Sequence, residues 1–389
     1  MVQLLLNASV YSPQFLGARH LAIAGGEVVW MGEDPPQISA ELIAETVDLE
    51  GRRLVPGLID GHVHATGGGG ESGSASRVPA LGISRYTAGG ITSVVGLLGT
   101  DDLTRTTGDL VTRVRGLREE GLSAWCYTGG YHLPPTTLTG SLRGDITYLD
   151  EVIGVGELAL SDHRSSQPTL DELLRVASEA HVAGLMTGKA GTVHLHMGDG
   201  ERGLDLVRRA LAGSELPPRV FHPTHVNRKK ALFDEALELA SRGSTIDVTA
   251  FPVGDDEDEW AAEVAVERYL ESDLPAERLT LSSDGGGCLP VFDAHGRVES
   301  MDVGEPRALA DCLQRLLARG HDLATILPPF TSNVADLLRL VGKGRIAVGA
   351  AADLVALDDE GAVHDVMAGG HWHVRSAEVV RRGRFEGPQ

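Results

Sequence analysis

The chain is poor in cysteine and lysine, has no long apolar run and carries no surplus of positive charge, and each scarcity removes a class of protein. Its only cysteines are Cys126, Cys288 and Cys312. An odd count without Cys-x-x-Cys spacing speaks against a disulfide framework and against a thiolate zinc site, so Cys126 and Cys312 read as buried packing residues. No apolar stretch approaches the ~20 residues of a membrane span, and no basic segment leads into a long apolar one at the N-terminus, so a cytoplasmic location is expected. With 34 lysines and arginines against 55 aspartates and glutamates, the formal net charge is −21. That balance repels phosphate backbones and anionic lipid, leaving nucleic acid and membranes as poor partners. Lysine occurs only at Lys189, Lys229, Lys230 and Lys343, so none precedes position 189. No internal repeat and no low-complexity tail is visible.

What is present is a regular alternation. Apolar, β-rich segments fall at 54–60, 92–98, 124–128, 152–160, 192–196, 220–225, 245–249 and 279–283. Between them lie helical patterns at 103–120, 170–185, 203–212, 229–242, 260–272 and 306–319, with apolar residues every three or four positions. Strand and helix in alternation mean parallel crossovers, and eight such units over about 250 residues match a closed barrel. The flanks instead read as short strands and turns. The expected fold is therefore α/β: a (β/α)8 TIM-like barrel over 54–345, with a small β-sandwich domain built from both chain ends, 1–53 plus 346–389.

The chemistry gathers at strand ends. Gly57 to His64 reads GLIDGHVH, and alternate residues of a strand face one side, so His62 and His64 can converge on one ion. A His-x-His pair alone is common among exposed or core histidines. Its setting marks this one, because it closes an apolar strand and opens into the glycine run 67–70. Catalytic groups of a parallel barrel sit at the C-terminal strand ends, and here those ends carry His62, His64, Glu157, His196, His225 and Asp284. Four histidines with two carboxylates suit zinc or another borderline divalent metal, and the two carboxylates can help hold two ions.

These residues resemble the amidohydrolase superfamily through GLIDGHVH, PTHVNR (223–228), LSSDG (281–285) and GKGRIAVGAAADLV (342–355). Within it, HVHATGGGGESG (62–73), TSVVGLLGTD (92–101), TGGYHLP (128–134), SDHRS (161–165) and HMGD (196–199) are similar to the isoaspartyl (β-aspartyl) dipeptidases. The resemblance implies that His62, His64 and Asp284 hold the more buried of two Zn2+ ions, and His196 and His225 the other. It implies a hydroxide as nucleophile, Asp284 as general base and then acid, and Tyr131 as oxyanion donor. It further implies that Glu71 meets the substrate amino group, that Thr100 and the amides near Gly69 meet the α-carboxylate, and that Arg164 and Arg228 clamp the terminal carboxylate. A small dipeptide substrate and a homo-oligomer go with it.

Two positions depart from the family. Where it has a carboxylated lysine bridging two metals, this chain has Glu157, and Lys189 lies too far toward the other barrel face to substitute. Glutamate keeps the charge and both oxygens but has a shorter reach. Either its strand shifts inward so that Glu157 bridges, the preferred reading, or one ion binds well and the second weakly. Cys288 stands where the family has a serine near the substrate carboxylate, and a thiol is a weaker donor. Two other readings stay open: hydrolysis of another small amide, such as an N-acyl amino acid or a cyclic imide or ureide, and a catalytically silent assembly protein. The last predicts missing ligands, and none is missing.

Overall fold

The computed structural model describes residues 1–253, 258–292, 295 and 298–387; residues 388 and 389 of the expected C-terminal segment lie outside the described residues. Six parallel strands, Leu58–Val63, Ile91–Gly96, Ser123–Thr128, Val152–Leu160, Val193–Met197 and Phe221–Thr224, pair in chain order. Ile246–Thr249 and Leu279–Ser282 form a second parallel pair. The two groups meet through side chains on one side, where Thr224 Oγ1 donates to Asp247 Oδ2 at 2.7 Å. On the other, His64 N donates to Gly285 O at 2.9 Å beside the Val63–Gly285 bridge. The result is the TIM-like barrel.

Helices cover it where the apolar spacing placed them. Leu170–Thr187 begins at a Thr169–Glu172 capping box and ends on left-handed Gly188, and it buries Leu173, Val176, Ala177 and Ala180 against the barrel. Thr107–Glu120 starts later than its pattern, because the Thr106 side chain accepts from Asp109 N and fixes the first turn there. The short helices Leu142–Tyr148 and Ser332–Leu338 and the hairpin Cys288–Phe292/Val298–Val303 escape the sequence pattern, being too short for a readable period.

Nine strands from the two chain ends form the other sheet, around a core of its own that includes Leu5, Val10, Leu21, Ile23, Leu354 and Met367. It is a mixed sheet, with parallel and antiparallel pairs, and makes up the terminal β-sandwich. One expected strand divides here. Residues 54–60 split into Arg53–Pro56, which pairs antiparallel with Leu354–Leu357 in the terminal sheet, and Leu58–Val63, which enters the barrel. Gly57 makes the crossing, and a Cβ there would strike the Thr92 side chain.

Candidate active site

The C-terminal strand ends open into one cavity of about 430 Å3, lined by His64, Glu71, Tyr131, Arg164, Arg228 and Asp284 among others. The first barrel strand carries His62, the fourth Glu157 and the fifth His196, while His225 and Asp284 follow the sixth and eighth. His225 and Asp284 sit in left-handed backbone, with φ 60° and 53°. That conformation costs a non-glycine residue ~1–2 kcal/mol and recurs at functional sites.

The six expected ligands meet. Asp284 Oδ1 lies 3.3 Å from His62 Nε2 and 3.0 Å from His64 Nε2. Glu157 Oε1 lies 3.4 Å from His64 Nε2, while its Oε2 lies 3.6 Å from both His62 Nε2 and His225 Nε2 and 3.1 Å from His196 Nδ1. A tetrahedral shell with bonds of about 2.0–2.1 Å sets its ligand atoms ~3.3 Å apart, so these spacings suit a shared ion. His62 Nε2, Glu157 Oε1 and Asp284 Oδ1 are buried without a hydrogen-bond partner, a costly state that a cation would relieve. Among the described residues, two compact triads emerge: His62, His64 and Asp284, and His62, Glu157 and His225. His196 belongs to neither; its Nδ1 lies between Glu157 Oε2, at 3.1 Å, and the Tyr131 hydroxyl, at 2.8 Å.

The protonation states match ligation. Burial lowers His62, His196 (to about 3) and His225, leaving neutral rings with a lone pair to offer. Burial opposes ionisation of Asp284, yet the facing His62 and His64 rings hold its carboxyl well below the usual range. Burial and the Asp284 charge push Glu157 up. Two carboxylates this close ionise together only with positive charge between them, so the donor set fits a divalent metal.

The rim also assembles. Glu71 Oε1 accepts from Thr100 Oγ1 at 3.0 Å and lies 3.5 Å from Arg164 Nη1, while Oε2 is buried without a partner. Arg228 Nη1 donates to Met197 O at 3.0 Å. A Cβ at Gly69, whose φ is +76°, would strike Ser76 O and lie 3.5 Å from Cys288 Cβ, so this loop runs tightly against the hairpin. Burial, with Glu71 and Asp284, pushes the Cys288 thiol up to about 12, so it stays protonated. Lys189 Nζ donates to Ile146 O and Leu149 O at 2.7 and 2.6 Å, away from the ligands.

Asp162 went unnoticed in the sequence. Its Oδ2 lies 3.0 Å from His196 Nε2 and accepts from Arg164 Nη2 at 2.7 Å, and its Oδ1 accepts from Arg164 Nε at 3.0 Å. It therefore orients a ligand and an arginine together. Burial opposes its ionisation, but His196 and Arg164 hold it far below the ordinary range. The available signal was an acid just past a barrel strand's C-terminal end, two residues before Arg164.

The amidohydrolase family model matches residues 53–373, and the chain belongs to this family of hydrolases. It is similar to the β-aspartyl dipeptidase of Fervidobacterium islandicum AW-1, solved in complex with β-Asp-Leu. The identity is 40%, with 97% of this chain and 98% of that one covered and a TM-score of 0.90. A second structure of β-aspartyl dipeptidase from that organism is 38% identical, with 97% and 98% covered and a TM-score of 0.87. Dihydroorotase of Anaplasma phagocytophilum is 26% identical over 378 residues, or 88% of this chain and 82% of that protein. Among the described residues, no helix is long and apolar enough to cross a membrane.

Proposed function

We propose that the protein hydrolyses the isopeptide bond of β-aspartyl dipeptides. The observation that carries this reading is the pairing, in one cavity, of a buried carboxylate–imidazole cluster with a rim that holds a buried, unpartnered acid oxygen, Oε2 of Glu71, and the arginines Arg164 and Arg228. Such a dipeptide presents an ammonium and two carboxylates. Glu71 Oε2 would take the ammonium, Thr100 and the backbone at Gly69 the α-carboxylate beside Cys288, and Arg164 and Arg228 the terminal carboxylate, for which guanidinium forks are suited.

His62, His64 and Asp284 would hold one divalent ion and His196 and His225 a second, with Glu157 reaching toward both sets. Zinc suits this nitrogen and oxygen donor set. When bound, it supplies Lewis acidity toward the scissile carbonyl and lowers the pKa of water. Asp284, ionised and next to His62 and His64, takes the proton from attacking water and returns it to the departing amine. Burial and the Glu157 charge push the Tyr131 hydroxyl well above its ordinary range, so it remains a donor for the developing oxyanion. A cytoplasmic homo-oligomer, with 54–345 as catalytic unit, completes the reading.

The test is hydrolysis of β-Asp-Leu against α-Asp-Leu after reconstitution with defined metals. Selective cleavage of the β-linked isomer is expected. Inertness toward both, with turnover of an N-acyl amino acid or cyclic ureide, would move the assignment to that substrate class.

A further inference from the structure

A TIM-type barrel is ordinarily filled with layers of branched aliphatic side chains. Directly beneath the candidate metal cluster, this one is polar: His194, His222, Asp247 and Thr280 are all at most 2% exposed. None of them lines the cavity, so substrate contact does not explain them.

They form a single file. His62 Nδ1 lies 2.8 Å from His194 Nε2, and His194 Nδ1 lies 2.9 Å from His222 Nδ1. His222 Nε2 lies 3.0 Å from Thr280 Oγ1, which donates to Asp247 Oδ1 at 2.7 Å. The other Asp247 oxygen accepts from the Thr224 and Ser282 hydroxyls. The Tyr127 ring, stacked on His194 at 5.1 Å and 8°, holds that imidazole in line.

One proton per link can run in only two directions. If Thr280 gave its hydrogen to His222, its oxygen would face the Asp247 carboxylate with nothing between them, oxygen against oxygen at 2.7 Å. The carboxylate therefore draws the Thr280 hydrogen, and Thr280 accepts from His222 Nε2–H. His222 Nδ1 then accepts from His194 Nδ1–H, and His194 Nε2 from His62 Nδ1–H. The lone pair of His62 is left on Nε2, the atom facing Asp284 and Glu157.

We propose that His194, His222, Thr280 and Asp247 are positioning residues, a buried hydrogen-bonded chain that locks His62 in the tautomer able to ligate metal. This rests on the reading of His62 as a ligand. A carboxylate behind a ligating histidine is a common support; here it acts through two further imidazoles and a hydroxyl.

Nitrogen-15 NMR of the histidine-labelled, full-length wild type should find Nδ1–H on His62 and His194 and Nε2–H on His222. Zinc titration against a chromophoric chelator should show Thr280→Val weakening Zn2+ binding by about 10–100-fold, the usual effect of removing such a support, with Thr280→Ser restoring it to within ~3-fold. Nδ1–H on His222, or unchanged zinc affinity in a folded Thr280→Val chain, would overturn the inference. If Thr280→Val does not fold, the wild-type spectrum decides. A wild type that binds no zinc would instead overturn the metal reading, and the inference with it.

Discussion

Glu71→Gln separates the proposed amine recognition from mere structural support. Glu71 keeps one oxygen on Thr100 and near Arg164, while the other is buried and unpartnered. A substrate ammonium at ~3 Å would attract it by about 5 kcal/mol at an effective dielectric near 20. Part of that is lost to desolvation and to the competing Arg164 charge. The net value of a charge-assisted hydrogen bond, about 1.5–3 kcal/mol, is the better guide and corresponds to a ~10–150-fold fall in kcat/KM for β-Asp-Leu. N-Succinyl-leucine is the same molecule without the amino group, so its kcat/KM, starting lower, should change less than ~3-fold. Measuring both substrates on both proteins closes a cycle in which only the amine–Glu71 term survives. Equal losses on the two substrates would mean that Glu71 only braces Thr100 and Arg164, and the amine assignment would fail.

Tyr131→Phe should lower kcat by ~10²–10³ with little change in KM, since an oxyanion donor acts in the transition state; a loss below ~5-fold, measured at saturating metal, would remove that role. Asp162→Asn frees His196 Nε2 from its carboxylate and should weaken Zn2+ binding by about 10–100-fold, read by chelator competition, and unchanged affinity would make Asp162 a support for Arg164 alone. A methyl at Gly99 would sit 2.5 Å from His64 Cε1. Gly99→Ala should therefore destabilise the protein by about 1–3 kcal/mol and loosen metal binding, whereas an unchanged melting temperature and affinity would show that His64 has room to move. Burial lowers His222 to about 4, against ~6.5 unfolded. Being depressed in the fold, it contributes stability that is complete above pH ~6.5 and lost as pH falls toward ~4. Asp60, raised to about 7 by burial, works the other way but is common to both proteins compared. Urea unfolding of the metal-free proteins should thus show His222→Leu gaining about 2.5 kcal/mol on the wild type between pH 7.5 and 4.5, and a pH-independent difference would contradict this.

Much of this was local and therefore legible. Continuous apolar, β-rich runs located the barrel strands, which are buried on both faces, and a period-3.6 apolar pattern located six covering helices, each buried along one face. The His62-x-His64 pair and the polar residues at strand ends could be named because strand geometry fixes which neighbours share a side. Resemblance, not pattern, supplied Glu71, Tyr131 and the arginines, whose types alone are common on any surface.

The tertiary structure decided what depends on distance between remote segments. It brought Glu157 within 3.1–3.6 Å of four imidazoles, a reach that residue type left open. It cut the expected 54–60 strand at Gly57, because the chain ends pair there with Leu354–Leu357 across some three hundred residues. It also revealed Asp162 behind His196, and the file from His62 to Asp247 inside the barrel. Sequence states which groups can ionise, ligate or donate. Only closure of the barrel sets which lone pair faces which proton, because hydrogen bonding and ligation depend on fractions of an ångström that spacing along a chain does not encode.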